Sequence, residues 1–315
     1  MAGVRIEWID ALRGTGMILV VLGHMTIPEL ARRFIFSFHM PLFFFLSGYC
    51  YKGECSRQWV LRKIDSLLVP YFVYSTAMLA LHVSLGKCRL GFGSACLFSG
   101  NGVGITWFLT CLFIVELLGG WLVSQMSCCE GSPRARCLFR ISAIFVVAVV
   151  GWGLPRLGLW PVLKSNTVFS ALTFWLWGHY LKGMKFNRLQ LICAFVAASF
   201  FWVQRVDMNS GRLGNGFLFY GTAMGFIVIL MWLFERCNIK LKPLIFIGRR
   251  SLEIMCLHAM IPMFTTIILS VCGCEMPRYL FKVITLLLLI VAAYLIHKHS
   301  RLLSGRAEIF QRIGK

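Results

Sequence analysis

Charge is scarce in this chain, and negative charge scarcest of all. Only 14% of the 315 residues are charged, and just 12 are Asp or Glu against 32 Lys or Arg. A soluble domain of this length carries about 25% charged residues, so the composition excludes a soluble domain of any size. A basic n-region followed by a small-residue cleavage site is also missing, which argues against a cleavable signal peptide. There are no internal repeats and no low-complexity segments. No serine elbow, phosphate loop or metal-ligand spacing occurs. The Cys128-Cys129 pair and the Cys272-Gly273-Cys274 spacing have no second pair to complete a zinc site. Chemistry here is expected to need neither a metal nor a bound cofactor.

What is present is apolar. Hydrophobic residues make up 58% of the chain, mean hydropathy is +0.77, and long apolar runs recur throughout. The expected fold is an all-α, polytopic transmembrane helical bundle. Ten spans are read at about 9–27, 34–51, 64–86, 104–126, 138–154, 165–182, 187–204, 214–235, 251–272 and 279–298, each near the length that crosses a hydrocarbon core of about 30 Å. With the N-terminus inside, the inner segments hold 22 Lys and Arg and the outer links 9, a bias that predicts both termini in the cytoplasm. The net charge of +20 is spread over short links, the pattern of topology signals and not of a nucleic-acid surface. Most of the 13 Cys lie in apolar runs, where they act as small hydrophobes. A disulfide among Cys88, Cys96, Cys272 and Cys274 requires their loops to face an oxidising side. The Gly- and Ser-rich link from Lys87 to Gly104 reads as a mobile outer loop. Residues 1–298 form one integral-membrane domain. The basic tail, 299–315, reads as a surface anchor on anionic lipid, through Leu302, Leu303, Ile309 and Phe310 among its charges.

Ionisable residues inside spans are costly and by default mark a functional site. Arg13 and His24 are eleven residues apart, which puts both on one helix face, roughly 16 Å apart along the axis. Asp10 lies three residues before Arg13, close enough to pair with it. Alone, this pattern is matched by a snorkelling Arg and a His bonded to a neighbouring helix. A second imidazole, His39, precedes Pro41. Proline removes a donor and disfavours helix at Met40, so a regular helix is expected to start or kink there, placing His39 in a cavity at the depth of His24. Two His at one depth fit a base and a partner for a reacting hydroxyl. Glu116 is deep in an apolar run, where it would orient an imidazole or bind substrate. Trp107 fits either an interfacial belt or a substrate contact. Arg57, Arg62 and Lys63 either grip phosphates or set topology, and His258 is a third intramembrane His. His82, His179, His297 and His299 lie nearer span ends and are read as structural. Many spans, a broken helix and buried His also describe a solute transporter or permease, the alternative reading.

Asp10-Ala-Leu-Arg13-Gly, ten residues, then His24 resembles the opening signature of the membrane acyltransferase 3 family. Phe38-His39-Met40-Pro41-Leu-Phe-Phe-Phe-Leu-Ser47-Gly48 is similar to the second motif of that family. Trp107-Phe108-Leu109 and the stretch from Ser251 to His258 look like its later motifs, in the branch resembling fucose 4-O-acetylases. The resemblance covers essentially the whole chain. It implies transfer of an acetyl or other short acyl group from cytoplasmic acyl-CoA to a hydroxyl of a sugar or related acceptor, often bound for the envelope, and hence a bacterial cytoplasmic membrane and polysaccharide O-acetylation. The essential Arg and His of the family's first motif map onto Arg13 and His24. The family's Arg-x-x-Arg pair before the third span is not matched: Arg62 and Lys63 are present, but Asp65 and Ser66 stand three residues on. No appended hydrolase-like domain is expected, so transfer would finish within the membrane part.

Overall fold

The computed structural model describes residues 6–128, 132–159, 161–273, 277–306 and 309–310. Arg5, Cys129, Cys274, Arg312 and Lys315, which entered the sequence reading, lie outside the described residues. The elements in chain order are α1 (Glu7–Gly23), α2 (Glu29–Cys50), α3 (Arg57–Lys63), a π turn (Ile64–Leu68), α4 (Val69–Ser84), α5 (Leu90–Phe98), α6 (Trp107–Cys128), α7 (Pro133–Gly153), α8 (Ser165–Tyr180), α9 (Arg188–Ser199), α10 (Gly216–Arg236), α11 (Lys242–Arg249), α12 (Ser251–Val271) and α13 (Arg278–His299). Among the described residues the one extended pairing is a bridge between Asp207 and Arg212. The chain is all-helical, and its helix starts are written locally. Ser56, Ser132 and Asn215 accept from the backbone N–H three residues on, and Asn187 with Gln190 closes a reciprocal capping box.

Among the described residues six helices are long and apolar enough to cross a membrane: Arg57–Ser84, Gly104–Ser127, Pro133–Leu157, Gly216–Arg236, Ser251–Val271 and Leu280–His299. The other four predicted spans are helices too, but shorter or more polar. α1, α8 and α9 have 17, 16 and 12 residues; even 17 residues rise only about 26 Å. α2 has 22 residues but opens on Glu29, Arg32 and Arg33. Large apolar side chains stand exposed on α7 and α13, among them Ile141 (59%), Phe145 (61%), Val283 (53%) and Leu287 (58%). Such faces are tolerated where the solvent is hydrocarbon. The chain is an integral membrane protein.

The described residues fall into two compact units, 1–55 with 114–160 and 165–249, and 56–113 with 161–164 and 250–315. In the first unit α1 packs along α11 and α2 along α8. Both contacts bring backbone onto backbone. A Cβ on Gly248 would overlap the carbonyl oxygen of Asp10, and one on Gly14 that of Leu244; Gly48 and Gly178 stand likewise against Trp175 and Phe45. Small residues at such crossings allow the close approach that membrane helices use in place of a hydrophobic drive. Gly48→Ala is therefore expected to destabilise by about 1–3 kcal/mol, read as a fall in melting temperature in detergent, whereas Gly221→Ala, in open space, should leave it unchanged.

Pro41 does not start or break a helix. α2 runs through it from Glu29 to Cys50. Proline removes one helical hydrogen bond, but twelve residues precede it in the same helix, and packing on α1 and α8 supports the helix on both sides of it. His39 therefore lies in a continuous helix wall and not beside a break.

In the second unit, α3, the π turn and α4 make one 28-residue helix, so Arg57, Arg62 and Lys63 are in its first turns and not in a link. The link from Lys87 to Gly104 is also more ordered than its composition suggests. It forms α5, whose Leu97 joins Met78, Leu79, Val103 and Ile105 in a buried cluster, and whose Leu97 carbonyl accepts from Tyr71 Oη at 2.7 Å. Cys88 and Cys96 are both free thiols. The described part of the tail is tied to this unit: Tyr74 Oη donates to the Leu303 carbonyl (3.1 Å) and the Phe310 N–H donates to Asp65 (3.0 Å). Leu302, Ile309 and Phe310 remain 39–42% exposed, so their side chains are still available to a surface.

Candidate active site

At one end of α1, Asp10 is buried at 3% exposure and faces two guanidiniums. Arg13 approaches at 3.9 Å and Arg249, from α11, donates at 3.1 Å. Arg13 also reaches the Cys50 sulfur at 4.0 Å. The pairing of Asp10 with Arg13 was readable from their spacing. Arg249 was not: in sequence it is one more inner cation, and only the contact of α11 with α1 brings it to the carboxylate. The Gly248-Arg249 pairing was the available signal, a residue without a side chain one place before a charge.

At the other end, His24 is exposed and forms the C-terminal cap of α1. Its Nδ1 lies 2.9 Å from the Val20 carbonyl. His39, buried at 3%, has the same arrangement, with Nδ1 2.8 Å from the Ile35 carbonyl. A carbonyl only accepts, so in each neutral ring Nδ1 holds the proton and Nε2 is the basic atom. Phe36 touches both rings, with centroids 6.1 Å from His24 and 4.9 Å from His39. His24 and Asp207 both lie within electrostatic reach of His39. Asp207 sits in the α9–α10 link, where its carboxylate accepts from Asn209 N–H and Ser210 Oγ. Sequence reasoning passed over it because no span contains it. The same corner is pinned by Glu29, which accepts from Arg33 (3.1 Å) and Arg205 (2.7 Å). The Arg33 hydrogen bond, then the surrounding arginine charge, holds the Glu29 carboxyl below its ordinary range.

Glu116 is buried at 2% and accepts a short hydrogen bond from Ser47 of α2. A carboxylate this deep is otherwise costly, and the hydroxyl of the second motif is what meets it.

The remaining candidates belong to the second unit. Trp107 is buried and carries the Lys164 ammonium over its ring at 5.4 Å, which is a packed cation–π contact and not an interfacial belt residue. Arg62 is exposed and Lys63 sits over Trp59 at 5.6 Å. The π turn that follows them points Asp65 inward, to 1% exposure, which accounts for an acid where the family has a second Arg. His258 is buried and donates Nδ1–H to the Met255 carbonyl at 2.8 Å. One buried pair was missed: Glu253, at 2% exposure, accepts from His297 Nδ1 at 2.5 Å, so His297 joins α13 to the later motif.

The structure thus brings together Asp10 with Arg13, His24 with His39, and Ser47 with Glu116, all in the first unit. A comparison with curated proteins and one with solved structures each found no match. The sequence model of the acyltransferase domain matches residues 6–298, nearly the whole chain and all four motif regions. This protein belongs to the membrane acyltransferase 3 family.

Proposed function

We propose that the chain is an acyl-CoA-dependent O-acyltransferase, moving an acetyl or other short acyl group to a hydroxyl of a sugar or related envelope acceptor. It would cross the membrane ten times with both termini cytoplasmic, as the 22-to-9 distribution of Lys and Arg favours. The observation that carries the reading is the pair of imidazoles whose Nδ1 protons are committed to backbone carbonyls. His24 Nε2 takes the proton of the acceptor hydroxyl as its oxygen attacks the thioester carbonyl carbon. The carbon–sulfur bond then breaks, and the departing thiolate takes the proton from His24. His39, across Phe36, binds or orients the acceptor. Arg13, held by Asp10, binds donor phosphate about 16 Å away along α1, with the pantetheine arm bridging the two ends. Within the first unit Glu116, held by Ser47, shapes the substrate path; within the second, Arg62 and Lys63 would bind phosphate and Trp107 and His258 would contact substrate.

Incubating purified protein with labelled acetyl-CoA and envelope glycans tests this. Transfer of label, and a melting temperature that rises with acyl-CoA, are the expected results. Protein that neither binds acyl-CoA nor is stabilised by it would overturn this reading in favour of the permease alternative.

A further inference from the structure

A groove of about 1270 Å³ runs along the first unit between α7, α8 and α10. It is larger than the roughly 300–1,000 Å³ of an ordinary small-molecule site, and it contains none of the residues assigned above to catalysis. Its α7 wall is apolar and unburied, Ile141, Phe145 and Val149 each being about half exposed or more, with Trp177, Tyr220 and Met224 opposite. From Arg136 to Trp152 the groove follows sixteen residues of α7, a rise of about 24 Å, so it has the length of a lipid chain and not of a soluble metabolite.

One end of this apolar groove is cationic. Arg136 and Arg140 are four residues apart on α7, so they share a face, and both line the groove. The Arg140 guanidinium lies over Tyr180 at 5.1 Å, and its Nε is buried with no hydrogen-bond partner among the described residues. A buried donor without an acceptor costs free energy, and here Arg140 Nε stands with a second cation, Arg136, at one end of a hydrocarbon-lined slot. An anion joined to an apolar tail answers both halves. We infer that this groove is a binding site for an anionic phospholipid, its phosphate on Arg136 and Arg140 and its chain along α7.

The test is native mass spectrometry of the full-length protein, delipidated in detergent and re-exposed to equimolar phosphatidylglycerol and phosphatidylcholine. Each arginine beside an anionic headgroup contributes a factor of roughly five, or about 1 kcal/mol. Wild type should therefore retain phosphatidylglycerol over phosphatidylcholine by roughly tenfold or more. R136Q/R140Q, altered only near the exposed start of α7, should hold the two about equally. Ala148→Trp, which fills the groove wall, should retain neither. Equal retention by wild type, or an undiminished preference in R136Q/R140Q, overturns the inference whatever Ala148→Trp does. Inorganic phosphate raising the melting temperature as much as phosphatidylglycerol would make this a plain anion site. An isoprenoid phosphate displacing phosphatidylglycerol at one equivalent would assign the groove to that carrier class and not to a phospholipid. Either outcome defeats the proposal.

Discussion

His24→Asn should be as inactive as His24→Ala, with acyl transfer lowered by about 10²–10⁴-fold in each, the usual worth of a general base. The asparagine is the more telling variant. Its amide nitrogen can take the place of Nδ1 and keep the bond that His24 makes to the Val20 carbonyl at 2.9 Å, but it has nothing where Nε2 stands. If the ring merely capped α1, the asparagine would restore activity and the alanine would not. Both variants should fold, because His24 is exposed and lies beyond the last helical residue of α1. A melting temperature within a few degrees of wild type would show that the lost activity is not lost structure. His39→Ala is a poorer probe: it empties a fully packed site and would cost on the order of 2–5 kcal/mol of stability before any chemistry is measured. Turnover by His24→Asn near the wild-type rate would remove His24 from the mechanism.

The second large effect is expected at the other end of the same helix. Asp10→Asn replaces a buried carboxylate that faces Arg13 and Arg249 with a neutral amide. Breaking a fully buried ion pair costs about 3–5 kcal/mol. These guanidiniums are 25% and 38% exposed, so water relieves part of the penalty and about 1–3 kcal/mol is the better expectation. The functional consequence separates two roles. If Asp10 aims Arg13 at donor phosphate, KM for acyl-CoA should rise roughly tenfold, equivalent to about 1.4 kcal/mol, while kcat falls little. A drop in melting temperature with KM unchanged would make the cluster a clamp between α1 and α11 and nothing more. Arg249→Gln should reproduce the stability loss with a smaller rise in KM.

Periodicity and charge made much of this legible before any coordinates. All ten predicted spans contain a helix, because apolar runs bounded by Ser, Asn and basic residues leave few other conformations, but several ends lie four to seven residues from where they are expected, the third helix starting at Arg57 and not at 64. The spacing of Asp10 and Arg13 also told its own story, since residues three apart on a helix are neighbours. What escaped was non-local or depended on a competition. Pro41 reads as a breaker, yet one lost hydrogen bond is outweighed by two packed flanks. Asp65 looked like a defect in a phosphate motif until the π turn rotated it inward to meet the Phe310 N–H. Arg249, Asp207 and His297 gain their meaning from partners dozens to hundreds of residues away, and apart from the glycine before Arg249 no local pattern announces such a partner.

The uninterrupted course of α2 leaves one mark on its surroundings. Pro41 has no N–H, so the carbonyl of Ser37 lacks the α-helical donor that would lie four residues on, and this gap faces away from His39, about 160° around α2. An acceptor of this kind in a hydrocarbon-lined interior draws water or a hydroxyl group to itself. Unlike an imidazole, it does so equally at every pH. That face of α2 therefore keeps a polar acceptor whose strength is the same whatever the protonation of the two rings.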